Sequence, residues 1–168
     1  RLLKIVDREE QRTLPLLKKI REQFAREQVT VLLVSGPSNE MSMGKILAEF
    51  GARVIIVPAM SNAFARQEKD LLKARYGDRI VFHEDDFATV AELVDRYRPD
   101  VVFADFQARV ELTRRLLPVH INENYLNEYG YDYALDFGEH FFDNLKRPVF
   151  RQWQDLQARY GRRVHAAR

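Results

Sequence analysis

Five short apolar runs constrain this chain more than any other feature of its sequence. They are rich in β-branched residues and show no alternation of apolar and polar positions, which is typical of strands buried on both faces of a parallel sheet. Successive runs begin 18 to 27 residues apart, and this spacing leaves room for one helix in each crossover. The runs are Thr30–Ser35, Arg53–Val57, Ile80–His83, Val101–Ala104 and Val119–Ile121.

Amphipathic segments precede, separate and follow these runs, and each predicts a helix. The first is expected to begin at Thr13, because a proline such as Pro15 is tolerated in the first turn of a helix and disrupts its interior. The predicted helices are Thr13–Glu27, Met41–Phe50, Phe64–Tyr76, Asp86–Tyr97, Gln107–Leu117 and Tyr131–Leu145.

The order of these elements predicts an α/β fold. We expect a Rossmann-like or flavodoxin-like parallel sheet of about five strands, with helices on both faces and an N-terminal helix before it. The expected divisions are an N-terminal helical segment (1–28), the Rossmann-like α/β domain (29–150) and a basic C-terminal tail (151–168).

Composition excludes several classes of function. The chain has 168 residues with 27 Lys plus Arg against 25 Asp plus Glu, and this near balance argues against a nucleic-acid binder. It has no cysteine, which excludes a disulfide framework, a cysteine nucleophile, a zinc ribbon and an iron–sulfur cluster held by cysteines of this chain. No apolar run could span a bilayer, and no signal peptide is visible, so no membrane partner and a cytoplasmic location are expected. The chain begins at Arg1 instead of Met, and we therefore expect a piece of a longer protein.

Ligands of open parallel sheets bind beyond the carboxyl ends of the strands, and this rule selects five loops. The loop after the first strand could offer backbone donors to an anion, but it has neither a Walker sequence nor a G-x-G-x-x-G sequence. Its candidate binding residues are Ser35, Gly36, Ser38 and Asn39, and the alternative is a helix cap by Ser38 or Ser42. The five loops are Ser35–Glu40, Pro58–Asn62, Glu84–Asp86, Asp105–Gln107 and His120–Asn127.

Two histidines fall at predicted strand ends. His83 precedes three acidic residues, Glu84–Asp86, which resemble a metal cluster by residue type, although Asp85 or Asp86 could instead cap the next helix. His120 ends the last strand and is followed by a polar, tyrosine-rich loop that begins at Asn122. A neutral imidazole there could ligate a metal or transfer a proton, and the alternative is a structural, hydrogen-bonded histidine. His140, in the middle of the last predicted helix, is expected to serve packing or lie at the surface.

Several stretches, in this order and spacing, resemble the C-terminal part of nitrogenase component 1 proteins of the α-subunit type. The similarity covers roughly residues 31–153. The histidine that ligates the cofactor in that family lies ten residues before the glycine of a Gly-Tyr-Asp sequence, and His120 and Gly130 keep this interval. The similar stretches are Ile46–Val54, Ala91–Val102, Leu117–His120, Gly130–Asp132 and Arg147–Phe150 with Trp153.

The resemblance implies an ATP-driven oxidoreductase component. In that family a separate iron–sulfur protein hydrolyses ATP and delivers electrons to component 1, which pairs with a second component 1 subunit and reduces a small molecule. The resemblance implies that His120 is a catalytic residue and a ligand of an iron–sulfur metallocluster. It places Ser35, Gly36, Ser38, Asn39 and Asn122 around that cofactor, together with Met60–Asn62, Asp105–Gln107 and Asn122–Asn124. The cysteine ligands would lie outside this chain.

One departure separates this chain from nitrogenase α-subunits. Where they carry Gly-Gly-Leu-Arg-Pro-Arg, this chain carries Ser35–Glu40, so a cation that packs on the anionic cluster is replaced by a carboxylate. A non-nitrogenase member, such as a methylthio-alkane reductase or a cofactor-assembly scaffold, is therefore favoured. The alternatives are a tetrapyrrole reductase subunit of the same family and a non-catalytic, flavodoxin-like module at a subunit interface.

Overall fold

The computed structural model describes residues 2–34, 40–58, 63–83, 89–104, 112, 119–121 and 131–145. Its helices and strands alternate along the chain, with a short 3₁₀ turn at Gly77–Arg79 before the third strand. The helices are α1 (Leu2–Glu27), α2 (Glu40–Phe50), α3 (Ala63–Tyr76), α4 (Val90–Tyr97) and α5 (Tyr131–Leu145). The strands are β1 (Thr30–Val34), β2 (Arg53–Ile56), β3 (Ile80–Phe82), β4 (Val101–Ala104) and β5 (Val119–Ile121).

The strands form one parallel sheet in the order β3-β2-β1-β4-β5. Side chains are described for the four strands β1 to β4, and the short β5 pairs with β4 at the edge through its backbone. Apart from the exposed Arg53 and the partly exposed Thr30 and Val34, the residues of β1, β2 and β4 are buried, as the absence of alternation predicted. The predicted α/β class, with a parallel sheet, flanking helices and an N-terminal helix, is confirmed.

Hydrophobic clusters cover both faces of the sheet. The larger cluster joins Leu33, Val54 and Phe103 to side chains of α1, α2, α3 and α5. On the other face, Leu32, Ile55 and Val102 pack with Leu93 and Val94 of α4 and with Leu112. Leu112 is the one described residue of the predicted helix Gln107–Leu117, and it is helical and buried.

A phenylalanine cluster joins α1 to α5. The ring of Phe24 lies 4.9 Å from that of Phe141 and 4.5 Å from that of Phe142, measured between centroids. One turn earlier in each helix, Gly138 faces Ile20 so closely that an added Cβ would lie 2.7 Å from Cδ1 of Ile20. Since Ile20 pairs with Gly138 and Phe24 with Phe142, the two helices run in the same direction.

The predicted start of α1 at Thr13 is wrong. The helix begins at Leu2 and carries Pro15 in its interior. The side-chain hydroxyl of Thr13 donates to the carbonyl of Glu9 at 2.7 Å, and the Glu9 carboxylate pairs with Arg12 at 2.8 Å. The ion pair of Glu9 with Arg12 stabilises the turn before the proline. A threonine hydroxyl bonded four residues back bends a helix, and an interior proline also bends a helix without always ending it.

The predicted start of the fourth helix at Asp86 is also wrong. The helix α4 begins at Val90, and its N-cap is Thr89 instead of Asp85 or Asp86. The Thr89 side chain accepts from the Glu92 amide at 3.2 Å, while the Glu92 carboxylate accepts from the Thr89 amide at 2.7 Å. This reciprocal capping box satisfies two amides that a helix start otherwise leaves unpaired, and it therefore sets the boundary.

Candidate functional site

The carboxyl edge of the sheet contains the point where strand order reverses. From β1 the chain proceeds to β2 and β3 on one side, and β4 and β5 lie on the other side. The last described residues of three adjacent strands, Val34, Ala104 and Ile121, are in register. Crevices at such reversal points are where open parallel sheets bind ligands. This position between β1 and β4 is therefore the candidate site.

His120 belongs to the backbone of β5, as predicted. Its register partner is Phe103, which is in turn the partner of Leu33. The residue thus lies one position before the carboxyl end of its strand, next to the reversal point. Nothing in the described structure tests its role as a ligand, because its side chain lies outside the described residues.

The other predicted binding residues lie outside the described residues. These are Ser35, Gly36, Ser38, Asn39 and Asn122, and the same holds for Met60–Asn62, Asp105–Gln107 and Asn122–Asn124. The described neighbour of the first loop is Glu40, which opens α2 and is 3% exposed. A carboxylate at the first turn of a helix interacts favourably with the helix dipole. Glu40 is therefore a buried acidic group at the start of the helix that follows the candidate loop.

His83 has a structural partner. It is 4% exposed, and its Nδ1 shares a hydrogen bond of 3.1 Å with the Tyr97 hydroxyl. Its backbone amide donates to Ile56 at 2.9 Å, which extends the pairing of β2 with β3. Glu84–Asp86 lie outside the described residues, and no three His, Cys, Asp or Glu side chains in the described part of the chain are placed to hold a metal ion. The geometry favours packing of His83 against α4, a contact across 14 residues that the local sequence does not reveal.

His140 lies at the surface, as expected. Its Nδ1 donates to the carbonyl of Asp136 at 2.9 Å, within one turn of α5.

A groove at the opposite, amino edge of the sheet was missed from the sequence. We call it the amino-edge groove. It has a volume of about 890 Å³ between the end of α1, the turn at Gly51 and the starts of the strands. The residues that line it are Arg21, Ala25, Gln28, Val29, Thr30, Glu49, Phe50, Gly51, Arg53, Asp78 and Arg79.

Glu49, which lines the amino-edge groove, has two side-chain partners on α3. Its carboxylate accepts a hydrogen bond from the Tyr76 hydroxyl at 2.8 Å and one from Arg75 at 3.3 Å. Burial, followed by the hydrogen bond to Glu49, raises the pKa of Tyr76 to about 12. The tyrosine therefore remains a hydrogen-bond donor at neutral pH. The two partners are 27 residues apart in sequence, and no local pattern links them.

Comparison with known proteins finds both a family and solved structures. The sequence model of the nitrogenase component 1 type oxidoreductases matches residues 3–146. The structure of nitrogenase Cp1 at pH 5 superposes with a TM-score of 0.65 and 12% identity, and it covers 88% of this chain and 36% of its own. Nitrogenase Cp1 at pH 6.5 gives a TM-score of 0.64, 12% identity, and coverage of 88% of this chain and 39% of its own. No curated protein sequence matches.

These matches fix how far the similarity reaches. The family model matches residues 3–146, so it includes α1, which lies before the stretches that resemble the family in the sequence analysis. It ends before two of those stretches, Arg147–Phe150 and Trp153. The chain spans less than two fifths of the length of the solved structures it resembles. Within the described part of the chain, no helix combines the length and apolar character needed to cross a bilayer.

Proposed function

Starting from the fact that the chain belongs to the nitrogenase component 1 type oxidoreductases, we propose that it forms one wall of a metallocluster site. The site would belong to the catalytic component of a nitrogenase-like reductase in the cytoplasm. The reaction would be an ATP-driven, multi-electron reduction of a small molecule. A second component 1 subunit would complete the catalytic component, and a separate ATP-dependent iron–sulfur protein would supply the electrons.

The position of β5 carries this proposal. Its register with β4 puts the backbone of His120 at the carboxyl edge, beside the reversal of strand order. That edge is where this class of sheet binds ligands. This backbone position supports His120 as the candidate ligand, because it lies near the strand end where such a sheet binds its ligands.

The donor residues of the chain fit a wall that contributes His120 to a cluster whose thiolate ligands come from elsewhere. There is no cysteine in the sequence, and iron–sulfur clusters are held mainly by cysteine thiolates. The described residues also contain no group of three His, Cys, Asp or Glu that could bind a metal. The thiolate ligands would therefore come from polypeptide outside this sequence, and His120 would supply an imidazole nitrogen from this wall. When bound, the metallocluster would supply the reducing electrons.

The residues around His120 would position its ring. An imidazole that ligates a metal usually donates its second ring N–H to an oxygen, which fixes the tautomer. Side-chain oxygens of Ser35, Ser38, Asn39 and Asn122 are the candidates for that role, and Gly36 would let the backbone approach the cofactor closely. In the absence of a metal bond, the same imidazole could donate a proton to the substrate.

Glu40 favours a reaction other than dinitrogen reduction. Nitrogenase α-subunits resemble this chain but carry arginine in the preceding loop, whereas here the described residue is a buried glutamate. A carboxylate near an anionic cluster repels it, and the repulsion is strongest where solvent is excluded. A cluster of different charge, or a different substrate, would suit this wall better. We therefore favour a methylthio-alkane reductase or a cofactor scaffold.

The test compares His120→Ala with His140→Ala in the intact natural polypeptide, purified anaerobically with its partner subunit. His140 is the matched control, because it is an exposed histidine of α5 whose ring bonds only locally among the described residues. We expect His120→Ala to lower the iron and acid-labile sulfide content or to change the paramagnetic signal, and His140→Ala to leave both unchanged.

Two other results would overturn the assignment. If iron is present and neither its content nor the paramagnetic signal changes in His120→Ala, the only cluster lies elsewhere. A tetrapyrrole would then be the better substrate. A preparation without iron would leave a module for subunit contact. One described feature favours that module, namely the exposed apolar side chains on the first turns of α1: Leu3 (77% exposed), Ile5 (56%) and Val6 (44%).

A further inference from the structure

Two arginines occupy neighbouring backbone positions, Arg53 at the first residue of β2 and Arg79 just before the first residue of β3. Val54 and Ile80 are register partners in the parallel pair β2 and β3. Arg53 directly precedes Val54, and Arg79 directly precedes Ile80. Neighbouring strands are about 4.8 Å apart. Like charges at neighbouring backbone positions repel each other. Both side chains are exposed, and both line the amino-edge groove.

A third arginine enters the same groove from another element. Arg21 of α1 lines it and lies close enough to Tyr76 to lower the pKa of that tyrosine slightly against the larger opposing effects of burial and Glu49. The three guanidinium groups therefore come from a helix, a strand and a 3₁₀ turn. Such a gathering is a property of the fold and not of any local run of basic residues.

The acidic groups of the groove do not balance the three arginines. Glu49 already accepts from Arg75 and from the Tyr76 hydroxyl. Asp100, just before β4, keeps its charge when it accepts the amide of Thr30 at 2.8 Å, but it is not among the residues that line the groove. Asp78 is then the remaining carboxylate among the residues that line the groove. The local charge is positive, and an anion would relieve the repulsion between Arg53 and Arg79.

We propose that the amino-edge groove binds a phosphorylated small molecule, with its phosphoryl group between Arg53 and Arg79 and within reach of Arg21. The planar fork of a guanidinium matches two phosphate oxygens at once. The volume of about 890 Å³ lies within the range of small-molecule sites. The exposed side chain of Ala25, which also lines the groove, offers a small apolar surface to the organic part of the ligand.

This site is separate from the candidate metallocluster site. The two lie at opposite edges of the sheet, and the five residues of β1 between them span roughly 17 Å. Loss of phosphate binding at the amino edge leaves the iron content unaffected, and loss of iron on His120→Ala leaves phosphate binding unaffected. The two proposals therefore succeed or fail independently.

The experiment titrates the intact natural protein with inorganic pyrophosphate in a calorimeter, at constant ionic strength. The variants are Arg53→Gln, Arg79→Gln and the two combined, and Arg66→Gln is the matched control, an exposed arginine of α3 that does not line the groove. We expect saturable binding that the double variant weakens by at least about tenfold, since each guanidinium contributes charge-assisted hydrogen bonds. Arg66→Gln should change the affinity less than about twofold.

Thermal unfolding of the ligand-free variants shows whether a loss of binding comes from a loss of folded protein. Because each substitution removes a like charge, we expect Arg53→Gln and Arg79→Gln to keep or raise Tm. Pyrophosphate that does not bind saturably, or that binds the double variant as tightly as the unaltered protein, would overturn the proposal. So would an acidic peptide that binds through the same arginines and is not displaced by pyrophosphate, because the groove would then be a surface for a protein partner.

Discussion

Gly138→Ala tests whether the contact of α1 with α5 leaves room for a single methyl group. An added Cβ would lie 2.7 Å from Cδ1, 2.8 Å from Cγ2 and 3.2 Å from Cγ1 of Ile20. Rotation of the side-chain end could move Cδ1, but Cγ2 and Cγ1 are both attached to the Cβ of Ile20. Ile20 is buried, at 6% exposure, so the clash requires a shift of one helix against the other.

Two opposing effects decide the stability of Gly138→Ala, namely the higher helix propensity of alanine and the overpacking of the core. Alanine in a helix interior is favoured over glycine by about 1 kcal/mol. Overpacking of a well-packed core costs about 1–3 kcal/mol. We therefore expect Gly138→Ala to destabilise the protein by about 1 kcal/mol net. Ile20→Ala alone should cost about 2–4 kcal/mol, because it leaves a cavity. The double variant should be more stable than the sum of the two losses predicts, because the new methyl group fills part of that cavity.

The assay is thermal unfolding of the intact polypeptide, with hydrogen exchange of peptides from α1 and α5 as the local readout. Gly44→Ala is the matched control, because its added Cβ would meet chiefly Cδ1 of Ile56, the movable end of a side chain, with the next atoms at 3.3 Å and 3.6 Å. Its effect should be smaller than that of Gly138→Ala. An increase of Tm in Gly138→Ala, or strict additivity with Ile20→Ala, would refute the packing argument.

Two further predictions concern the titrating groups of the fold. Hydrogen bonds from the backbone and side chain of Thr89 lower the pKa of Glu92. Their stabilising effect is therefore complete above the ordinary pKa of a glutamate and is lost as the pH falls through the lowered value. The hydrogen-exchange protection of α4, corrected for the intrinsic pH dependence of exchange, should fall on acidification, and this fall should be absent in Glu92→Gln. Thr89→Ala should cost about 1 kcal/mol at neutral pH, seen as a lower Tm. The pKa of Tyr76 is raised to about 12, so its contribution to stability is complete below the ordinary tyrosine pKa and is lost as the pH rises through the raised value. Spectrophotometric titration of the folded protein should show a late-ionising component that is lost in Tyr76→Phe, whereas an unchanged titration curve would contradict the contact with Glu49.

Local sequence patterns predicted the strands well because burial on both faces demands apolar, β-branched residues. Val101–Ala104 and Val119–Ile121 were predicted with the boundaries found in the structure. Helix starts were harder, since they depend on side-chain contacts. Pro15 was interpreted as a mark of the first turn, and the capping box of Thr89 and Glu92 was overlooked in favour of nearby aspartates.

The position of the candidate site depends on strand order, which the sequence does not contain. Spacing predicted parallel strands, but only the observed order puts the reversal between β1 and β4. The same holds for the amino-edge groove. Arg53 and Arg79 are distant in sequence, and they become neighbours only through the register of Val54 with Ile80. Features that depend on register between elements were therefore missed by sequence reasoning as well.

The core explains how the histidine-bearing strand is held in place. Phe103 is wholly buried and pairs in register with His120. Its ring lies 6.1 Å from that of Phe137 and 6.4 Å from that of Phe141, both on α5. The helix α5 begins ten residues after β5 ends, and it packs on Phe24 of α1. Both ends of the segment that follows His120 are thus attached to one aromatic cluster. Because α1 supplies a central member of that cluster, the N-terminal helix contributes to positioning the candidate site although it lies far from His120 in sequence.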